Sequence, residues 1–130
     1  MGDVKRKFAT ILATDCVGFS KHMLEDEQST FESLNACREI IDSLIEQHGG
    51  RIFHTAGDSV LADFESPIET VNCAIKFQEA IQERNETISD EDQRRKLLWR
   101  IGIHSDDVIF EKDNVYGLSL IHISEPTRRR

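Results

Sequence analysis

Apolar positions in this chain follow a strand-like rhythm at the start and a helical one behind it. The run Phe8-Ala9-Thr10-Ile11-Leu12-Ala13 is short, apolar and rich in β-formers, and predicts a buried central strand. It ends at Thr14-Asp15-Cys16-Val17-Gly18-Phe19-Ser20, a turn leading into a helix. In a longer helix behind it, Phe31, Leu34, Ile41, Leu44, Ile45 and His48 recur at three- and four-residue spacings. Gly49-Gly50 closes that helix, as expected where a helix ends in a left-handed conformation. A hairpin comes next: Arg51 to Ala56, the turn Gly57-Asp58-Ser59, then Val60 to Phe64.

Ser66-Pro67-Ile68-Glu69 is a helix start. Serine can cap, proline suits the first helical position, and Glu69 can reach back to complete a capping box. The helix continues through Val71, Ala74, Ile75, Gln78 and Ile81. Glu83 to Lys96 is almost wholly polar and reads as a solvated helix end plus loop. Leu97 to His104 and Val108 to Glu111 are read as two further strands around Ser105-Asp106-Asp107. The order predicts an α+β fold, a ferredoxin-like βαββαβ arrangement with helices on one face of an antiparallel sheet.

At 130 residues the chain suffices for one domain with a sizeable core and is too short for two. A net charge of −8 argues against nucleic acid or an anionic membrane as the main partner, since both need a basic face. Cys16, Cys37 and Cys73 are scattered and form no CxxC pair, which fits a reducing cytosol better than a disulfide framework or zinc site. Lys5-Arg6-Lys7 before the first apolar run superficially mimics a signal peptide, but the run is too short and Asp15 soon follows. No stretch approaches the roughly 20 apolar residues of a membrane span. A cytoplasmic segment is expected.

Two carboxylates stand out by position. Asp15 ends the first strand and Asp58 sits in the tight hairpin turn. If that strand lies beside the hairpin, both side chains reach the same sheet edge and repel unless cations lie between them. Hard divalent ions such as Mg²⁺ or Mn²⁺ suit oxygen ligands. The alternative is a pair of turn aspartates satisfying local backbone N–H groups. Val17-Gly18-Phe19-Ser20, directly after Asp15, offers a glycine beside a helix start, where the backbone can approach a phosphate. Together these outline a metal–triphosphate site. Histidines 48, 54 and 104 fall on separate elements, so a histidine metal centre carries little weight.

Here the sequence resembles a known family. Phe8 to Ser20, with Asp15 at its centre, resembles the first metal motif of class III adenylyl and guanylyl cyclases; Gly49 to Phe64, with Gly57-Asp58, resembles the second. Trp99-Arg100-Ile-Gly-Ile-His-Ser105, with Asp107 to Glu111 and Asn114-Val-Tyr-Gly117, is similar to the strand pair that follows. The resemblance implies an enzyme making cyclic AMP, or cyclic GMP, and pyrophosphate from ATP or GTP in intracellular signalling. Two Mg²⁺ or Mn²⁺ ions would be held by Asp15, Asp58 and the Cys16 backbone carbonyl. Val17, Gly18, Phe19 and Ser20 would cradle the β- and γ-phosphates. Arg100 matches an arginine that contacts the triphosphate, beside the alternative of a strand-end arginine paired with surface acids. One ion would lower the pKa of the ribose 3′-hydroxyl and the other steady the pyrophosphate. A homodimer with its site between chains is implied for a full-length parent.

The departures also carry information. His54 stands where many adenylyl cyclases have the lysine that reads adenine, and Asn114 where they have the partner aspartate. Imidazole and amide can still hydrogen-bond a purine, which leaves the choice between ATP and GTP open. Asp106 replaces a glycine often found in the turn after the strand. These changes keep a second reading in view, a non-catalytic dimerisation or nucleotide-sensing module. A diguanylate cyclase would show Gly-Gly-Asp/Glu-Glu-Phe in the hairpin, and Ala56-Gly57-Asp58-Ser59-Val60 differs from it. Leu118 to Arg128 resembles translated read-through of a sequencing adapter, so residues 1–117 are expected to form a partial cyclase domain and 118–130 a non-native tail. The family's transition-state asparagine and arginine would come after Gly117, and the fragment alone is expected to be inactive.

Overall fold

A computed structural model describes residues 4–111 and 114–116. Its five strands are β1 (Val4–Cys16), β2 (Arg51–Ala56), β3 (Ser59–Phe64), β4 (Trp99–Glu111) and β5 (Asn114–Tyr116). They form one sheet in the order β2-β3-β1-β4-β5, with every neighbouring pair antiparallel. Three helices complete the order: α1 (Phe19–Glu25), α2 (Glu27–Gln47) and α3 (Pro67–Glu86). Strands β4-β1-β3-β2 with α2 and α3 make the ferredoxin-like βαββαβ core, and β5 extends it.

Local chemistry fixes the helix ends. Asp26 caps α2 by accepting from the Ser29 N–H at 3.0 Å, and Glu27 adds a negative charge to the first turn. The Ser66 hydroxyl accepts from the Glu69 N–H at 3.1 Å, with Pro67 opening α3 as its sequence predicts. At the far end of α2, Gly49 and Gly50 donate to Glu46 and Ile45, capping its last carbonyls.

Alternation along β1 sends Leu12 and Cys16 to the helix side, where Leu34, Cys37, Ile41, Ile45, Phe64, Phe77, Ile81 and Trp99 form the main core. Ile11, Ala9 and Ala13 face the other way and pack with Phe53 and Leu61. Each fully buried large apolar side chain contributes roughly 1.5–3 kcal/mol. Phe77 and Trp99 meet edge to face, centroids 6.2 Å apart, and Gln78 Nε2 donates to the Trp99 carbonyl at 3.0 Å, tying α3 to β4.

Two expectations need correction. No turn divides residues 97 to 111: β4 is one strand of 13 residues, paired with β1 from Cys16↔Trp99 to Val4↔Glu111. Strand β1 is itself longer than its apolar stretch, and its continuous ladder carries β4 straight through Ser105-Asp106-Asp107; Thr10 and Ser105 join hydroxyl to hydroxyl at 2.8 Å. The buried stripe of α3 is Thr70, Cys73, Phe77, Ile81 and Asn85, whereas Val71 and Ile75 stay exposed. Phe31 on α2 is exposed too. The polar stretch after Ile81 includes a buried Asn85, whose Nδ2 donates to the Leu97 carbonyl at 2.9 Å, and a short 3₁₀ turn at Asp90–Arg95.

Candidate metal and phosphate site

β1 lies between β3 and β4, so its C-terminal end meets both the β2–β3 hairpin and the start of β4. The two-residue turn between Ala56 and Ser59 begins with Gly57 at φ 59°, a left-handed conformation that a side chain would strain. That turn brings Asp58 against β1, where its Oδ2 accepts from the Cys16 N–H at 2.8 Å. The hairpin carboxylate is thereby fixed to the residue that follows Asp15.

Asp15 is partly buried and directly opposite Arg100 in the β1–β4 ladder. Arg100 Nε donates to Asp15 Oδ1 at 3.1 Å. The neighbouring Thr14 hydroxyl donates to the Arg100 carbonyl at 2.7 Å, holding the arginine backbone in register. Motif spacing did not reveal this ion pair; a residue-by-residue register of β1 against β4 would have.

Electrostatics bear on what Cys16 can do. Burial first, then the nearby charge of Asp58, and further the charges of Cys37 and Asp15, push its thiol up to about 12. The Cys16 side chain is buried in the main core, which leaves its backbone carbonyl as the donor that a metal at the strand end could use. Among the described residues no group of three or more His, Cys, Asp or Glu is arranged to hold a metal. An oxygen-donor pair without a third protein ligand suits an octahedral ion that keeps waters and takes substrate phosphates, as Mg²⁺ does. The donor set therefore fits the divalent ions inferred from sequence.

Beyond Cys16 the chain turns at Val17 and Gly18. Gly18 has φ 67° and precedes α1 with no side-chain cap, leaving the first turn without a side-chain acceptor. The Val17 N–H donates to the Leu98 carbonyl at 2.8 Å. Phe19 packs against the main core, and Ser20 is exposed.

His54 is exposed on β2 and shares with Thr14, Asp15, Ala56, Ser59 and Leu61 a cleft of about 140 Å³. A bulge between Ile52 and His54 puts both Phe53 and His54 on the helix-free side of the sheet. Asn114 opens β5, on the opposite edge of the sheet from β2, and its side chain lies outside the described residues, as do residues 117–130. A larger groove, about 730 Å³, runs between α3 and β4 along Val71, Ala74, Ile75, Ile101 and Ile103. It is mainly apolar, on the helix side of the sheet, and does not include the two aspartates. The smaller cleft holds Asp15 and His54.

The adenylate and guanylate cyclase catalytic domain matches residues 4–116. A Rhizobium meliloti protein provisionally named adenylate cyclase 3 is 35% identical over 115 residues, covering 88% of this chain and 19% of that protein. A serine/threonine-protein kinase of Myxococcus xanthus, pkn2, is 27% identical over 115 residues, covering 88% of this chain and 14% of the kinase. The chain thus spans less than a fifth of either relative. Among solved structures, an adenylate/guanylate cyclase/hydrolase from Silicibacter pomeroyi superposes with a TM-score of 0.82 at 31% identity, covering 93% of this chain and 69% of that one.

Proposed function

This chain belongs to the adenylate and guanylate cyclase catalytic-domain family, and we propose that it is the metal- and triphosphate-holding portion of a nucleotidyl cyclase. The reaction is formation of 3′,5′-cyclic AMP, or cyclic GMP, and pyrophosphate from the nucleoside triphosphate. The observation that carries this reading is the 2.8 Å bond from the Cys16 N–H to Asp58, which ties a second carboxylate to the residue after Asp15.

In this reading Asp15, Asp58 and the Cys16 carbonyl hold two divalent ions. Such ions supply charge neutralisation at the triphosphate, a more acidic ribose 3′-hydroxyl and a stabilised pyrophosphate. The backbone from Val17 to Ser20 faces the β- and γ-phosphates, with the uncapped start of α1 and Gly18 supporting that role. The Val17 N–H is already engaged, so Gly18, Phe19 and Ser20 carry the N–H contacts. Arg100 places its guanidinium on the triphosphate. His54 and Asn114 read the purine, the name of the Silicibacter pomeroyi relative covering both nucleotides.

A cleft of about 140 Å³ is well below the ~300 Å³ at which ligand pockets begin, so one chain does not enclose a nucleotide. A second copy in a full-length homodimer supplies the other wall. The three cysteines are free and buried, which suits the reducing cytoplasm assigned to the protein. The groups that orient the ribose and steady the α-phosphorus are assigned to the region after Gly117, and residues 118–130 to a non-native tail. A non-catalytic module is the second reading, favoured by the exposed imidazole at position 54, but it has no use for two converging carboxylates.

Calorimetric titration with ATP, with and without Mn²⁺, tests the assignment. Weak, Mn²⁺-dependent binding is expected, lost in Asp15→Asn, with no cyclic nucleotide formed. Binding that ignores both Mn²⁺ and the substitution would overturn it.

A further inference from the structure

Both candidate metal carboxylates already have donors within the chain. Asp58 Oδ2 takes the Cys16 N–H at 2.8 Å and Asp15 Oδ1 takes Arg100 Nε at 3.1 Å. The two bonds differ in kind. The first comes from the backbone and cannot leave without moving β1, and it leaves the carboxylate's charge uncompensated. The second is an ion pair made by a side chain that is 42% exposed, on a stem with room to swing. A guanidinium on Asp15 occupies one carboxylate oxygen and puts a positive charge where a divalent ion must approach.

We propose that Arg100 is a latch on Asp15, making metal and triphosphate binding mutually dependent. Resting on the metal-site reading above, the idea adds an order of events to it. When a triphosphate arrives, the guanidinium exchanges the carboxylate for phosphate oxygens, where its planar fork can bind two at once. Asp15 is released at the same moment and takes the cation. Each partner lost is replaced by one of the same sign, so the swap leaves no charge stranded. Without nucleotide, Arg100 returns to Asp15 and metal is held weakly. The bond from the Thr14 hydroxyl to the Arg100 carbonyl keeps the arginine's Cα opposite Asp15, so only the side chain moves.

The test measures metal binding and the ion pair in the whole 130-residue chain, without nucleotide. Mn²⁺ affinity is read by electron paramagnetic resonance in the native chain, Arg100→Gln and Asp15→Asn. The Arg100 Nε–H resonance, assigned by its loss in Arg100→Gln, is followed during Mg²⁺ titration. Arg100→Gln is expected to bind Mn²⁺ about two- to five-fold tighter, the range of a part-exposed ion pair. In the native chain the Nε–H signal should shift to its free position with the midpoint of metal binding, a response that charge removal alone does not produce. Equal Mn²⁺ affinity in native and Arg100→Gln chains, with Asp15→Asn weakened, would overturn the latch and leave the metal site standing. So would an Nε–H signal that stays put at saturating Mg²⁺. Binding unaffected by Asp15→Asn would overturn the site and the latch together.

Discussion

The carboxylate of Asp58 accepts a hydrogen bond from the backbone N–H of Cys16 at 2.8 Å, joining residues 42 positions apart. One side chain thus closes the hairpin onto β1 and, in the proposed site, would also offer charge to a metal. The two roles can be separated. In a longer parent carrying a whole cyclase domain, Asp58→Asn keeps an acceptor for the Cys16 N–H and loses the charge. Mn²⁺-dependent cyclic nucleotide formation should fall roughly a hundredfold or more, with little change in melting temperature. Asp58→Ala should lose activity equally and about 1–2 kcal/mol of stability as well. Full activity in Asp58→Asn would contradict the metal role.

Nucleotide choice follows from what replaces a charged reading pair. With an imidazole at position 54 and an amide at 114, the parent should prefer ATP only weakly, because few buried donors or acceptors are left unpaired by the wrong purine. Competition between ATP and GTP measures this. A preference of a hundredfold or more for either would show that other residues do the reading.

Gly50 is required by close packing. A Cβ there would stand 2.6 Å from the Phe64 ring and 2.8 Å from Ile45 Cγ2, in the main core. Gly50→Ala should therefore destabilise the chain by about 1–3 kcal/mol, read as a lower urea midpoint at an unchanged slope. An unchanged midpoint would mean that the ring moves aside at no cost.

Alkaline pH should unfold the protein through its buried thiols. Burial, then the charge of Asp58, raises Cys16 from 9.0 to about 12, and burial raises Cys73 to about 11. The folded state holds these protons more tightly than the unfolded chain. Stability is therefore fully present below pH 9 and declines as pH rises through 9 toward 12. Urea midpoints between pH 8 and 11 check it, and Cys16→Ala should flatten the decline. A midpoint rising over that range has the wrong sign for this account.

Local signals in the sequence were reliable where the chemistry is local. Ser66-Pro67 starts a helix because a hydroxyl and a missing N–H act within one turn, and Gly57-Asp58 makes a hairpin for a similar reason. Asp15 and Asp58 could be brought to one edge on paper once β1 was set beside the hairpin. The hidden features are long-range. Ser105-Asp106-Asp107 looks like a turn, yet the β1 ladder holds it extended. Val71 and Ile75 look like core, yet α3 is rotated so that Cys73 and Phe77 face the sheet. Asn85 looks solvated because its partner, the Leu97 carbonyl, is a backbone group invisible in the sequence. The Arg100–Asp15 pair belongs to the same class, since only strand register brings the two residues together.

The central position of β1 has a consequence for how the molecule comes into being. Its residues leave the ribosome well before those of its partners, β3 at residues 59–64 and β4 at residues 99–111. The nascent strand must wait, apolar and unpaired, while α2, the β2–β3 hairpin and α3 assemble from nearby sequence. Pairings this distant in the chain are slow to form and leave open edges exposed in the meantime. Asp15 meets Arg100 only after 85 further residues have been made, so the proposed metal corner cannot close until β4 begins to emerge.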